Sequence, residues 1–346
     1  MPARWRLYHG AYYYRVPPGL EALWGGRKQY RLGSTLGEAA SEWAKRMANA
    51  ERRIVYIRDL LDRYAIEAIP MKAAATQRGD NLALVNLRKV FGDMLLDDLE
   101  PRHIYKYVDA RVNKQGQKSP ATGVHEIRVF KHAFTKAVEW GLISKHPFKG
   151  EVRLKGTKPR SRYVEDWEII EALSLVPKRK SGSVLMLQAY VRVKMLIGIR
   201  RGDMLRLRMS DITEAGITVR PHKTANSTGL VRTFEWTPAL RAAVEMALVA
   251  RPIDIAPWLF CTKRGEGYFN EETGQATGWD SMWQRFMSRL LAETKISQRF
   301  TEHDLRGKVG SDAESVERAR QLLGHADSKI TERVYRRKPE LIRPLR

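Results

Sequence analysis

A segment rich in cations, glycine and proline divides this chain and keeps it from folding around one continuous core. Residues 149–162 read KGEVRLKGTKPRSR and contain few large apolar side chains. Such a stretch buries little apolar surface, and its glycine and proline residues interrupt regular secondary structure. A length of 346 residues is also enough for about two or three domains. We therefore predict a basic linker at 149–162, with folded domains on either side.

The chain carries a large excess of positive charge. It has 62 Lys and Arg residues against 39 Asp and Glu residues, a formal net charge of +23. This excess favours a polyanionic partner, with nucleic acid as the first candidate and an anionic membrane surface as the weaker one. The longest apolar stretch, 184–199, is interrupted by Gln188, Arg192 and Lys194. It therefore predicts no membrane-spanning helix. Because nucleic acid is the favoured partner, we expect no membrane partner.

Two further features bear on location and redox chemistry. Residues 1–10 contain charges and no uninterrupted apolar run, so we expect no secretory signal and a cytoplasmic protein. Cys261 is the single cysteine, which excludes an internal disulfide and a thiolate-rich zinc module. We interpret it as a small packed apolar residue.

The N-terminal segment, 1–34, is typical of a small sheet. Its short aromatic and β-branched runs are separated by Pro17-Pro18-Gly19 and Gly25-Gly26. A strand ribbon with exposed cations suits a DNA groove or backbone, although a basic, solvated hairpin explains the pattern equally well. The candidate DNA contacts here are Arg15, Arg27, Lys28 and Arg31.

The segment 35–148 contains several stretches of helical periodicity and is mainly helical, with a turn at 113–120. Thr35 and Glu38 form a capping box that begins it, and we assign its aromatic residues to a core rather than to base stacking. In the linker that follows, the candidate DNA contacts are Lys155, Lys158 and Arg160. The remainder, 163–346, alternates helical stretches with short strands at 217–220 and 231–234. The expected fold class is mainly α with small β-sheets (α+β).

Two cations of this last segment are candidates for phosphate chemistry. Arg200 follows the turn-prone Gly198, and Lys223 lies at the base of a polar hairpin. A lysine held against a DNA backbone can donate a proton to a leaving oxygen, but it can also be a plain phosphate contact. Either cation alone is most often a surface residue.

A second group of candidates lies near the C-terminus. Thr301 and Asp304 form a helix-start box that places His303 and Arg306 on one face of a helix, near its N-terminus. Backbone N–H groups and the helix dipole there favour an anion, so this pair indicates a phosphate pocket. Farther on, a helix ends at Gly324, His325 follows it, and a new helix carries Tyr335.

In this order, Arg200, Lys223, His303-x-x-Arg306, Leu322-Leu323-Gly324-His325 and Tyr335 resemble the tyrosine recombinase, or phage integrase, family. The resemblance covers 163–337. It extends more loosely to 35–148, which looks like the core-DNA-binding domain of the family, and 1–34 is similar to an arm-type DNA-binding domain. The resemblance implies six catalytic residues: Arg200, Lys223, His303, Arg306, His325 and Tyr335.

The resemblance also implies a role for each residue. Arg200 and Arg306 grip the non-bridging phosphate oxygens, while Tyr335 attacks phosphorus to form a 3′-phosphotyrosine. His303 assists the loss of the tyrosine proton. Lys223 protonates the leaving 5′ oxygen, and His325 forms a hydrogen bond to the phosphate.

No cofactor and no metal are implied, because the sequence contains neither a phosphate-binding nucleotide loop nor a metal-binding carboxylate cluster. Asp203 and Asp304 are expected to orient the neighbouring catalytic arginines. Two spacings depart from the family: the interval from Arg306 to His325 is shorter than usual, and that from His325 to Tyr335 is longer. The departures affect local geometry rather than the chemistry.

The resemblance predicts an integrase of a prophage or another mobile element. Its partners would be double-stranded DNA attachment sites, three further copies of the chain in a homotetramer on DNA, a DNA-bending accessory protein and a directionality factor. One alternative is a type IB topoisomerase-like nicking and closing enzyme. A less favoured alternative is a non-catalytic, architectural DNA-binding protein. The basic tail 336–346 either docks on a neighbouring subunit or is disordered.

Overall fold

The computed structural model describes residues 2, 4–17, 21–48, 56–156, 159–178, 182–222 and 229–338. The chain divides into two compact units, Met1–Thr157 and Lys158–Arg346. The division falls inside the segment that the sequence assigns to a linker. Helices dominate both units and each contains one small antiparallel sheet, which confirms the predicted α+β class.

The first unit begins with the small sheet that the sequence predicts. Its strands are β1 (Trp5–Tyr8), β2 (Ala11–Arg15) and β3 (Gln29–Gly33), paired antiparallel in that order. Five helices follow: α1 (Leu36–Ala48), α2 (Ile57–Glu67), α3 (Ala74–Phe91), α4 (Pro101–Ala110) and α5 (Pro120–Glu139). The predicted capping box precedes α1, where Thr35 Oγ1 accepts from the Glu38 N–H at 3.2 Å and the Glu38 carboxylate accepts from the Thr35 N–H at 3.2 Å.

The sheet and the helices of this unit share one apolar core. Trp5 of β1, Trp43 of α1 and Phe130 of α5 are all buried in it. The predicted aromatic core is therefore confirmed. The sheet, which the sequence separates from the helices at residue 34, packs with them in one unit because its buried face needs their apolar surface.

The second unit contains eight α-helices and three strands among its described residues. In chain order they are α6 (Asp166–Ser174), α7 (Ser183–Ile197), α8 (Arg201–Met204), β4 (Ile212–Thr213), β5 (Gly216–Val219), β6 (Arg232–Phe234), α9 (Pro238–Val249), α10 (Thr277–Glu293), α11 (Glu302–Asp312), α12 (Val316–Leu323) and α13 (Ser328–Ile330). The strands form an antiparallel sheet in the order β4-β5-β6. A single π-helical turn, Thr331–Tyr335, follows α13. The sequence predicts that a helix carries Tyr335, but the residue lies in this π-helical turn and not in a regular α-helix.

Helix α7 is the buried centre of the second unit and packs against α9 and α11. It ends at Gly198, whose φ of 60° lies in the left-handed region. A Cβ at this position would lie 2.8 Å from Cγ1 of Val309 in α11. Glycine is therefore required both for the backbone conformation and for the close approach of α11, and it sets the direction in which the chain enters Arg200.

Two other sequence interpretations concern single features. Cys261 is buried, as expected of a packed residue. Within the described ranges, no helix has the length and apolarity needed to cross a bilayer.

We predict that Gly198→Ala lowers the free energy of unfolding of the chain by about 2–5 kcal/mol, because left-handed strain costs about 1–2 kcal/mol and overpacking about 1–3 kcal/mol. Urea unfolding followed by circular dichroism measures the change. Gly229→Ala is the matched control, since Gly229 has a φ of 59° and the added Cβ would meet no atom of the described residues within 4 Å. It should show only the strain, about 1–2 kcal/mol. Equal losses in the two variants would contradict the packing role of Gly198.

Candidate active site

The start of α11 has the capping box that the sequence predicts. Thr301 Oγ1 accepts from the Asp304 N–H at 3.2 Å, and the Asp304 carboxylate accepts from the Thr301 N–H at 2.9 Å. These reciprocal bonds satisfy two backbone donors that a helix start leaves unpaired. They fix the first turn of α11, which carries His303 and Arg306.

The Arg306 guanidinium is buried and joins the ends of two other helices. Its Nη1 donates to the Gly198 carbonyl at 2.6 Å, at the end of α7, and its Nη2 donates to the Leu323 carbonyl at 2.6 Å, at the end of α12. Burial lowers the pKa of Arg306 to about 10, so it is still a cation at neutral pH. Its Nε is buried and has no hydrogen-bond partner among the described residues.

His325 lies behind Arg306. Arg306 Nη2 is 3.0 Å from His325 Nε2, and His325 Nδ1 is 2.9 Å from Thr331 Oγ1. Because a guanidinium can only donate, Nε2 accepts, and the ring carries its hydrogen on Nδ1. Burial, followed by the charges of Arg306 and Arg200, lowers the pKa of His325 to about 4. His325 is therefore neutral, and both of its nitrogen atoms have protein partners.

Tyr335 lies against these groups and is only 8% exposed. Its hydroxyl oxygen is 3.0 Å from His303 Nε2, and its ring centroid is 5.2 Å from Arg306 Cζ and 4.7 Å from the His325 ring centroid. Burial and the charges of Arg337 and Arg306 lower the pKa of His303 to about 4. Tyr335 thus contacts a neutral imidazole through its hydroxyl and faces a buried cation with its ring.

Arg200 follows the reversal at Gly198 and precedes α8. Together with His303, Arg306 and Tyr335 it lines a cavity of about 700 Å³. The structure therefore brings together five of the six predicted catalytic residues, with His325 behind the cavity wall. The sixth, Lys223, lies outside the described residues, which resume at Gly229 in the approach to β6.

The sequence analysis did not identify Lys194 as a residue of this site. This residue of α7 is 1% exposed and lines the same cavity, and its Nζ donates to the Ile199 carbonyl. Burial lowers the pKa of Lys194 to about 7, although the carboxylate of Glu302 acts in the opposite direction. The sequence signal was a cation within an apolar helix, and it was interpreted only as an interruption of the apolar stretch.

The two aspartates that were expected to orient catalytic arginines have other partners. The Asp203 carboxylate accepts from the His222 N–H at 2.9 Å, next to the undescribed segment that contains Lys223. Asp304 is fully buried and accepts from Arg160 at 2.8 and 3.0 Å and from Arg337 at 2.7 Å, with no bond to Arg306. Arg160, a candidate DNA contact, is thus already engaged in an ion pair.

The other candidate DNA contacts are placed as follows. Exposed positions are occupied by Arg15, Arg27, Lys28, Arg31 and Lys155. Arg31 also donates to Ser34 Oγ at 2.7 Å. Lys158 lies outside the described residues. Contact of these cations with DNA is still a prediction.

Comparison with known proteins agrees with the geometry of the second unit. Residues 168–340, half of the 346-residue chain, match the model of the Phage integrase family. The chain belongs to the phage integrase family, and the prediction of a tyrosine recombinase is confirmed. Comparison with curated proteins gave no match.

Solved structures of integrases have a similar fold. A lambda integrase dimer bound to a COC′ core site has a TM-score of 0.64 and 20% identity, with 99% of this chain and 98% of that chain covered. A lambda integrase tetramer bound to a Holliday junction has a TM-score of 0.64, 18% identity and the same coverage. For the Tn1549 transposon integrase in complex with a circular intermediate DNA, the TM-score is 0.64 and the identity 15%, over 80% of this chain and 94% of that chain.

The neutral state of His325 predicts how stability depends on pH. Its folded pKa lies below the usual 6.5, so the unfolded chain binds the proton more strongly and stability is lost as pH falls from about 6.5 to about 4. The loss should be on the order of 3 kcal/mol, at about 1.4 kcal/mol per pKa unit. Urea unfolding of wild type and His325→Gln across this range measures it, and the variant should lose less. Parallel pH curves would contradict the prediction.

Proposed function

We propose that this chain cuts and rejoins double-stranded DNA at the attachment sites of a prophage or another mobile element, through a 3′-phosphotyrosine at Tyr335. The observation that carries the proposal is the position of the Tyr335 hydroxyl, 3.0 Å from the neutral His303 imidazole in a cavity that Arg200 and Arg306 also line. A nucleophile, an anion pocket and an assisting imidazole are the parts that phosphoryl transfer to a tyrosine needs.

The cations supply the site for the scissile phosphate. Arg306 has an unpaired, buried Nε among the described residues, and Arg200 lines the same cavity. A phosphate oxygen bound to these donors would satisfy Nε and relieve the mutual repulsion of the two guanidiniums. The two guanidiniums would also partly neutralise the negative charge of the phosphate, which otherwise repels an oxygen nucleophile.

Cleavage then exchanges one phosphoester bond for another. The Tyr335 oxygen attacks phosphorus, the bond to the 5′ oxygen breaks, and the DNA 3′ phosphate is left on the tyrosine. The phenol loses its proton to solvent in the cavity, while neutral His303 assists by stabilising the developing charge. Lys223 protonates the 5′ oxygen. Attack of another 5′ hydroxyl reverses these steps, so no external energy source is needed.

His325 would have two roles in sequence. Before DNA binds, it holds Arg306 through Nε2 and Thr331 through Nδ1. A hydrogen bond from His325 to the phosphate requires Arg306 to leave Nε2, and a phosphate that draws the guanidinium into the cavity would cause this. The phosphate charge would also raise the pKa of His325 and so favour its donor form.

The partners follow from the same function. Related integrases have been solved as a dimer on a core site and as a tetramer on a Holliday junction. We propose a homotetramer on two attachment sites in the cytoplasm of a bacterial or phage-infected cell, aided by a DNA-bending protein and a directionality factor. The N-terminal sheet would contact arm-type sites, and helices α1 to α5 would contact the core site.

The proposed function makes a prediction about the nucleophile, Tyr335. Wild type, Tyr335→Phe and Tyr268→Phe are incubated with supercoiled plasmid that carries the end sequences of the element, and detergent then traps protein-linked DNA. Wild type and the Tyr268→Phe control should form a protease-sensitive adduct, and Tyr335→Phe should bind the plasmid without forming one. If all three bind and none forms an adduct, the proposed function fails. Strand exchange between two duplexes separates a recombinase from a nicking and closing enzyme.

The second prediction concerns the general acid. Lys223→Met should cleave ordinary DNA about 100- to 10,000-fold more slowly than wild type, because the alkoxide would leave unprotonated. A duplex with sulfur in place of the 5′ bridging oxygen needs little protonation, since a thiol has a pKa of about 8.5. On that substrate Lys223→Met should approach the wild-type rate, while Tyr335→Phe should form no adduct. An equal defect of Lys223→Met on both substrates would show that the lysine has another role.

A further inference from the structure

Arg337 lies two residues beyond Tyr335 and has no role in the proposed cleavage reaction. Its side chain is nevertheless only 3% exposed. Its Nη1 donates to the Arg162 carbonyl at 2.8 Å and to Asp304 Oδ1 at 2.7 Å, and its Nε donates to the Val334 carbonyl at 3.0 Å. A surface cation in a basic C-terminal segment would not have so many internal acceptors. The side chain therefore has a specific place in the fold.

The backbone around Arg337 is held at the same point. Ser311 Oγ of α11 accepts from the Arg337 N–H at 2.7 Å and donates to the Tyr335 carbonyl at 2.7 Å. The segment that carries the tyrosine is thus fixed to α11 through main chain and side chain together. Helix α11 also carries His303 and Arg306, so nucleophile and phosphate ligand share one support.

Helix α11 leaves space for this guanidinium. Gly307 lies opposite it, and a Cβ at that position would be 2.8 Å from Arg337 Cζ. A glycine inside a helix costs about 1 kcal/mol relative to alanine, so its presence here has a packing reason. The buried Asp304 carboxylate supplies the matching negative charge.

The same guanidinium touches the imidazole that faces the nucleophile. Arg337 Nη2 is 3.4 Å from His303 Nδ1, on the side of the ring opposite Nε2, which contacts the Tyr335 hydroxyl. Because a guanidinium only donates, this contact favours the neutral tautomer with its hydrogen on Nε2. That hydrogen points at the oxygen on which negative charge develops.

We infer that Arg337 is a positioning residue for strand cleavage: it fixes the backbone that carries Tyr335 and orients the His303 ring with Nε2–H toward the tyrosine oxygen. The inference rests on the proposed roles of Tyr335 and His303. Arg337 takes no part in binding the phosphate, so it should affect the rate of cleavage and leave DNA affinity unchanged.

The charges around His303 give this inference a spectroscopic signature. Arg337, Arg306 and Lys194 all disfavour its protonated form, whereas Asp304 favours it. Among the charged groups, Arg337 lowers the pKa of His303 most, after the effect of burial. Removal of the Arg337 charge should therefore move this pKa from about 4 toward the ordinary 6.5.

The experiment compares Arg337→Met, Arg337→Lys and, as the matched control, Arg336→Met. Arg336 is the adjacent, exposed arginine, whose Nη1 donates to the Ala313 carbonyl. Adduct formation under single-turnover conditions is measured on the end-sequence plasmid, and DNA affinity is measured separately. Arg337→Met should slow adduct formation on the order of 100-fold with unchanged affinity, as small misplacements of reacting groups do. Arg337→Lys should recover part of the rate, and Arg336→Met should match wild type.

Two measurements without DNA separate this inference from the proposed function. In the Met variant, hydrogen exchange should speed up in residues 328–338 alone, and nitrogen chemical shifts of His303 should show a raised pKa and a loss of the Nε2–H tautomer. Arg337→Lys should keep the low pKa. Gly307→Ala, which displaces the guanidinium without removing it, should reproduce the slow cleavage and the altered tautomer.

The outcomes are distinct. If wild type forms no adduct, the proposed function fails, and exchange and titration still decide the role of Arg337. If wild type forms the adduct and Arg337→Met forms it within twofold of the wild-type rate, the inference is wrong. Unchanged exchange and an unchanged His303 pKa in Arg337→Met would overturn it equally.

Discussion

The second unit depends on the burial of one charge, the Arg306 guanidinium. Removing such a group from water costs several kcal/mol unless its donors find good acceptors. Here the acceptors are the carbonyls of Gly198 and Leu323, at the ends of two helices, and the imidazole of His325. The helix ends can present these groups because each terminates at a left-handed glycine, Gly198 or Gly324. The Arg306 cation and the packing of three helices are therefore parts of one structure.

The cavity next to Arg306 has an excess of positive charge, which a bound anion would neutralise. Arg200, Arg306 and Lys194 line it. The charge of Arg306 lowers the pKa values of both histidines, Arg200 also lowers that of His325, and Lys194 also lowers that of His303. A phosphate would compensate these cations and raise the pKa values of the neighbouring groups. Under the proposed function, the substrate would contribute to the protonation states on which its own cleavage depends, and DNA binding would be coupled to the chemistry.

The parts of the site that the sequence predicts are those encoded locally or by residue type and order. The capping box at Thr301, the glycine stop before His325 and the order of the catalytic residues need no knowledge of tertiary contacts. Lys194 and Arg337 were missed because their significance depends on partners distant in sequence or on burial. The same reason explains Asp304, which binds Arg160 and Arg337 instead of the arginine nearest to it in the chain. Likewise, the sequence predicts a domain boundary at residue 34, but the N-terminal sheet packs against the helices that follow it and belongs to the same unit.

In the proposed reaction, the Tyr335 oxygen becomes bonded to a DNA 3′ phosphate in the pocket formed around Arg306. The most direct test is mass spectrometry of the trapped adduct after digestion with nuclease and protease, with the nucleotide end group identified by its fragments. The trapped peptide should contain Tyr335 and carry a nucleotide linked through its 3′ phosphate. A nucleotide on any other residue, or one attached through its 5′ phosphate, would overturn the proposed reaction.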